Sequence, residues 1–236
     1  MLNGMSAASV TGAGRTFRDD AALREAGVEL RQADLRDRAA MERLCEGKQI
    51  VFHLAAWLMR GKGGDEGAHA VNVDATRALA EAAAAAGARR FVLASTIAAY
   101  GLPPVDDIDE SVPIDVGQRD LYGRTKALGE LAARDVAART GLSVTIARPA
   151  MVYGPGSPGW TIGMLRLVQR GVPVLFGDEG NAYPVYIDDV VDALLLAATR
   201  EEADGEAFNV SDASVDWPTF FGYYGKMCGK RARRVP

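Results

Sequence analysis

Short, continuous apolar runs alternate with alanine- and leucine-rich helical stretches along most of this chain, and that alternation restricts the possible folds more than any other feature. Residues 49–56 (QIVFHLAA), 91–96 (FVLAST), 143–148 (SVTIAR) and 207–210 (AFNV) read as strands. Residues 73–87, 121–139 and 188–199 read as helices, with Gly87 and Gly141 placed to end the first two and Asp188 or Asp189 near the cap of the third. Strands that lack polar alternation are covered on both faces, so the pattern predicts an α/β fold with a parallel sheet between helical layers. Such open sheets bind ligands beyond the carboxyl ends of their strands. Chemistry is therefore expected just after LAA, LAST and ARPA. Residues 151–180 break the rhythm with glycines and prolines, which suits a segment that shapes a pocket better than one that extends a sheet.

Composition excludes several classes. With 236 residues the chain can bury one large core. Lys plus Arg number 27 and Asp plus Glu 31, a net charge of -4, so no electrostatic footprint for nucleic acid exists. The basic run at residues 226–234 reads as solvated surface. Two cysteines, Cys45 and Cys228, cannot make a disulfide framework and fit reduced thiols. No apolar run reaches membrane-spanning length, and the opening residues lack the pattern of a signal peptide, so a cytoplasmic location is expected. His53 and His69 stand without HExxH or CxxC, and no metal site is expected. The absence of GxSxG argues against the common hydrolase layout.

Tyr122 and Lys126 lie four apart in LYGRTKALGE, which places both on one face of a helix, one turn apart. A free tyrosine titrates near pH 10 and is a poor base, but a neighbouring ammonium favours the phenolate. The pair is thus a candidate acid–base unit for moving a hydroxyl proton. Ser95 and Thr96 end the strand FVLAST, where a hydroxyl could orient a substrate oxygen against Tyr122. A strand-end hydroxyl bonded only to backbone is the plainer reading of Thr96 alone.

The ordered set ADLRD (33–37), VFHLAA (51–56), NVDAT (72–76), LASTIAAYG (93–101), YGRTK (122–126), ARPAMVYGPG (147–156) and VYIDDVVDA (185–193) resembles the extended short-chain dehydrogenase/reductase superfamily, and most of all its NAD-dependent epimerase/dehydratase family. The resemblance implies a Rossmann-like doubly wound parallel sheet and an NAD(P)-dependent oxidoreductase, epimerase or dehydratase. It implies Tyr122 as catalytic acid/base, Lys126 as its electrostatic partner and ribose ligand, and Thr96 as the catalytic hydroxyl. On the cofactor side it implies Asp34 and Leu35 at the adenine, and Leu54, Ala55 and Ala56 along the phosphate and ribose path. It also implies Asn72 at a strand–helix junction, Ser95 beside Thr96, and Pro149 and Val152 near the nicotinamide. Asn181 and Tyr183 are candidate substrate contacts together with Thr96. Residues 1–150 would form the dinucleotide-binding domain, rejoined by residues 188–210. Residues 151–187 and 211–236 would form part of a substrate-binding region. A homodimer paired through the YxxxK helices is an expected assembly.

The chain departs from the family at its start. A dinucleotide fold opens with a strand and a glycine-rich turn. VTGAGRTF (10–17) invites that reading, but Phe17, or Arg15 and Arg18, stand where further glycines are required. From Gly12 to Asp34 there are only 22 positions, too few for two further strands and two helices. Residues 10–17 then read as the family's second strand, 21–26 as a helix and 28–32 as the third strand. The first strand and glycine turn would be lacking, as in a fragment. Arg15 and Arg18 near the second strand's end suit a 2′-phosphate, with Asp19 and Asp20 close behind in opposition, so the cofactor reading leans slightly toward NADP over NAD. No arginine precedes VYIDD to meet a nucleotide diphosphate, which keeps a small or apolar carbonyl open beside a sugar nucleotide as substrate. The competing reading is a non-catalytic dinucleotide-binding module, or an inactive fragment of such an enzyme.

Overall fold

Branched and aromatic residues concentrate in four segments of the sequence, and these four become the central sheet. In the computed structural model, which describes residues 9–17, 20–58, 63–103, 108–175 and 180–234, the chain begins with β1 (Thr11–Gly14), α1 (Ala21–Glu25), β2 (Glu29–Gln32) and α2 (Arg38–Cys45). It continues through β3 (Ile50–His53), α3 (Gly64–His69), α4 (Ala75–Ala85), β4 (Arg90–Ala94), α5 (Leu121–Thr140) and β5 (Val144–Pro149). It then runs through β6 (Met151–Tyr153), α6 (Met164–Gln169), β7 (Pro173–Leu175), β8 (Asn181–Ala182), β9 (Pro184–Tyr186) and α7 (Ile187–Thr199). Last come β10 (Ala207–Val210), β11 (Val215–Asp216), α8 (Trp217–Cys228) and β12 (Arg233–Arg234).

The central sheet has the order β10-β5-β4-β3, and every pairing in it is parallel. Alternate side chains of each strand go to opposite faces. Phe91 and Leu93 of β4 and Val144 and Ile146 of β5 pack with Met41, Leu79, Ala83 and Val136 from α2, α4 and α5. Val92 and Ala147 go to the other face and pack with Val190, Leu194, Ala197 and Ala198 of α7. Both faces are covered, as continuous apolar strands require.

The parallel pair β1–β2 forms its own two-stranded sheet. Among the described residues no strand pairs with both β1 and β3. Two contacts hold the small sheet to the large one: Ala33 and Leu35, just beyond β2, pack on the core, and Lys48 Nζ donates to Thr11 Oγ1 at 2.8 Å. Within the segments 10–17 and 28–32 read as strands, Thr11–Gly14 and Glu29–Gln32 form the pair.

A second apolar cluster lies apart from the sheet. Met151, Val168, Val174, Leu175 and Ala182 meet Phe220, Phe221 and Tyr224 of α8. Asp216 caps α8 by accepting from Thr219 N at 2.7 Å. Asp188 and Asp189 do not cap α7, because β9 runs directly into it and Tyr186 takes the cap position without a side-chain bond. Both carboxylates lie in the first turn, where the helix dipole favours them.

Candidate active site

The site is assembled at the carboxyl end of β4 by the first half of α5. Asp120 starts α5 by accepting from Gly123 N at 2.7 Å, and Gly141, at φ 75°, ends it. Two glycines set how closely this helix lies on its neighbours. A Cβ on Gly123 would collide with the carbonyl oxygen of Ala98, in the 3-10 turn Ile97–Tyr100. A Cβ on Gly129 would collide with the carbonyl oxygen of Asn72, in the π-helical turn Ala70–Asp74. Side chains four apart on α5 then face the end of the sheet: Tyr122, Lys126 and Glu130.

Lys126 is buried, and its Nζ donates to the Ala94 carbonyl at 2.6 Å. Thr96, also buried, starts the 3-10 turn by accepting from Ala98 N at 3.2 Å. Lys126 and Thr96 thus lie at the same end of β4, with Tyr122 one turn before Lys126 on α5. Burial lowers the Lys126 ammonium to about 8, against the opposing pull of the Glu130 carboxylate. Burial raises the Tyr122 phenol, Thr96 lowers it and Asp120 raises it further. The lowering of Tyr122 by Lys126 expected from the sequence is not among the causes of its shift, and Lys126 is directed at the β4 carbonyl instead. The phenol is held as a proton donor.

Asn72, buried, ties three elements. Its Oδ1 accepts from Trp57 N at 2.7 Å, and its Nδ2 donates to Thr125 Oγ1 at 2.9 Å. The segment leaving β3 is thereby fastened to α5. His53 at the end of β3 shares a hydrogen bond with Thr76 Oγ1 at 2.9 Å, and burial, followed by the Lys126 charge, lowers it to about 3. Ser95 donates to Glu130, and Glu130 pairs with Arg148, Nη2 to Oε2 at 2.6 Å. Glu130 was not singled out from the sequence. Its signal was the repeat of the Tyr122–Lys126 interval one turn further on.

The remaining candidates are spread around this centre. Leu54 and Ala55 are exposed beyond β3 and Ala56 is half-buried. Asp34, beyond β2, is engaged by Arg36 through three hydrogen bonds, which hold its carboxyl down to about 2. Leu35 packs on the core. Arg15 follows β1, and its charge reaches Asp34. Arg18 lies outside the described residues. Pro149 ends β5, and Val152 lines a cavity of about 310 Å³ with Tyr153, Gly154, Pro155 and Ile187. Asn181 and Tyr183 are exposed and do not line that cavity. A phenol, an ammonium and a hydroxyl at one strand end fit the nicotinamide–ribose half of a dinucleotide. The pyrophosphate half is not matched: among the described residues no glycine-rich turn leads into a helix N-terminus beside β1, and α1 has five residues and no side-chain cap.

Comparison with known proteins gives concordant results. Residues 3–211 match the NAD dependent epimerase/dehydratase family. A ceramide reductase of Caulobacter vibrioides is 33% identical over 216 residues, covering 90% of this chain and 60% of that protein. The crystal structure of UDP-glucose 4-epimerase with UDP-glucose from Thermotoga maritima superposes with a TM-score of 0.82 at 26% identity, covering 97% of this chain and 78% of that one. UDP-glucuronic acid 4-epimerase from Bacillus cereus in complex with NAD shares the fold, with a TM-score of 0.83 at 21% identity, covering 96% and 78%. The chain spans about half the length of the curated relatives it matches.

Proposed function

The chain belongs to the NAD-dependent epimerase/dehydratase family, and from that premise we propose that it carries the proton-transfer centre of a nicotinamide-dependent oxidoreductase acting on a carbonyl or alcohol. One observation carries the reading: the buried Lys126 donates to the Ala94 carbonyl at the carboxyl end of β4, where Thr96 follows, and Tyr122 lies one turn before Lys126 on α5. A bound nicotinamide supplies or accepts the hydride. In the reductive direction Tyr122 gives its proton to the substrate oxygen as the carbon–oxygen double bond becomes single, and Thr96 orients that oxygen. The resulting phenolate is stabilised by the Lys126 ammonium one helical turn away. Asn72 holds the segment after β3 against α5, Pro149 ends β5 on the nicotinamide side, and Val152 borders the cavity in which the reacting carbon would lie. Residues 1–150 with 188–210 serve as the dinucleotide side, and 151–187 with 211–236 as the substrate side.

Between substrate classes, the absence of an arginine before β9, where Ala182, Tyr183 and Pro184 stand, favours a small or apolar carbonyl over a sugar nucleotide. The likeness to a ceramide reductase points the same way. Asn181 and Tyr183 remain candidates for the outer wall of the substrate region. For the cofactor, the family description names NAD and a neighbour of the same fold contains it, and the lean toward NADP has only the basic residues Arg15 and Arg18 behind it. The second reading is a non-catalytic dinucleotide-binding module or an inactive fragment of such an enzyme. Turnover of a panel of ketones and sugar nucleotides, followed at the nicotinamide absorbance with NADH and with NADPH, separates these readings. Catalysis abolished by Tyr122→Phe with cofactor binding retained is the expected result. Equal rates in the variant remove Tyr122 from the chemistry, and binding without any turnover favours the module.

A further inference from the structure

A carboxylate with no solvent exposure lies one turn beyond Lys126, and the proposed chemistry does not use it. Glu130 sits on the same face of α5 as Tyr122 and Lys126. Its oxygens accept from Arg148 Nε at 3.1 and 3.2 Å and from Arg148 Nη2 at 2.6 Å, and Oε1 also accepts from Ser95, which directly precedes Thr96. Arg148 is nearly as buried and is itself restrained. Nη1 donates to Tyr100 Oη at 2.6 Å, and the guanidinium lies 4.8 Å from the Tyr100 ring centre. Tyr100 donates to Asn209 Oδ1 at 2.9 Å, and Asn209 is fixed in turn by Ile108 and Glu110. The carboxylate is thus locked by β4, β5, β10 and the turn after Thr96.

A buried ion pair of this kind adds little net stability over well-packed apolar side chains, because desolvation offsets its attraction. Its geometry serves the neighbouring lysine instead. We infer that Glu130 is a positioning residue: a buried counter-charge, clamped by Arg148 and Ser95, that keeps Lys126 an ammonium beside Tyr122. The inference builds on the proposed roles of Tyr122 and Lys126. The ionisable groups facing Lys126 are Tyr122 and Glu130 on its own helix and His53 on β3, with Arg148 of β5 behind Glu130. His53 is held neutral by burial and offers Lys126 no compensating charge. Glu130 is the group that opposes the lowering of the ammonium.

The test reads Lys126 directly and needs no substrate. In protein carrying 13Cε-labelled lysine, the Lys126 resonance is identified by its loss in Lys126→Met and followed against pH. In Glu130→Gln the titration is expected to fall by about one pH unit, a tenfold weaker proton affinity, as for loss of a nearby opposite charge. Should the unpaired Arg148 prevent Glu130→Gln from folding, the double variant Glu130→Leu with Arg148→Met removes both charges and still lacks the carboxylate. Because the Arg148 cation is lost along with the carboxylate, a smaller downward shift is expected than in Glu130→Gln. Lys126 titrating as in the native protein, in whichever variant folds, overturns the inference. Absence of turnover in every carbonyl assay would count against the proposed function and leave this measurement intact.

Discussion

Replacing Lys126 by methionine should make the protein more stable at neutral pH. The unbranched side chain is kept and the charge removed. An ammonium lowered from its ordinary 10.5 to about 8 by burial opposes folding. At about 1.4 kcal/mol per pH unit, the penalty is about 3 kcal/mol wherever both states carry the proton. Methionine leaves the Ala94 carbonyl without its 2.6 Å donor, which costs about 1 kcal/mol. A net gain of about 2 kcal/mol is expected, or about 4–8 °C in Tm for a domain of this size. The sign depends on pH in a defined way. Below about 8 the native protein bears the full penalty. Between 8 and 10.5 the unfolded chain binds more protons than the folded one, so the native protein gains stability as pH rises. Above 10.5 the lysine is neutral in both states and the advantage of the variant disappears. Urea unfolding of both proteins at pH 7 and pH 10.5 measures this. A variant no more stable at pH 7, or one with the same offset at both pH values, would refute the view that a buried ammonium is maintained there at the expense of stability.

His53, lowered to about 3 by burial and then by Lys126, should make the fold sensitive to acid. Its contribution is complete above pH 6.5 and is lost as pH falls toward 3, at up to about 1.4 kcal/mol per pH unit; urea unfolding at pH 7 and pH 5 should show that slope in the native protein and a reduced one in His53→Gln. Gly129→Ala drives a methyl group into the Asn72 carbonyl, and overpacking of this kind costs about 1–3 kcal/mol. Because Asn72 holds the backbone of Trp57, the near-ultraviolet dichroism of the variant should change along with its Tm, and an unchanged Tm would show that α5 is free to move away.

The layered sheet was legible in the sequence because covering a strand on both faces leaves a trace at every one of its positions. Residues 207–210 match β10 to the residue, and 121–139 fall one short of α5. The strand readings at 49–56 and 91–96 overran, since apolar composition continues through Leu54, Ala55 and Ala56, and the small hydroxyl residues Ser95 and Thr96 follow β4 directly. Tyr122, Lys126 and Thr96 were found through a helical interval and a strand end, both of which are local patterns. Glu130 lay on the same interval, yet its partners Ser95 and Arg148 are 35 and 18 positions away, so its meaning came only with the packing of α5 between β4 and β5. The direction of the Tyr122 shift followed the same division. Spacing sets which groups lie one turn apart, whereas desolvation is a property of everything packed around them. The sequence alone therefore determined the layers and offered Tyr122, Lys126 and Thr96 as candidates at one strand end. Only the tertiary structure decided which charges are buried, what holds them and in which direction each proton equilibrium moves, because those depend on neighbours that the chain brings together from far apart.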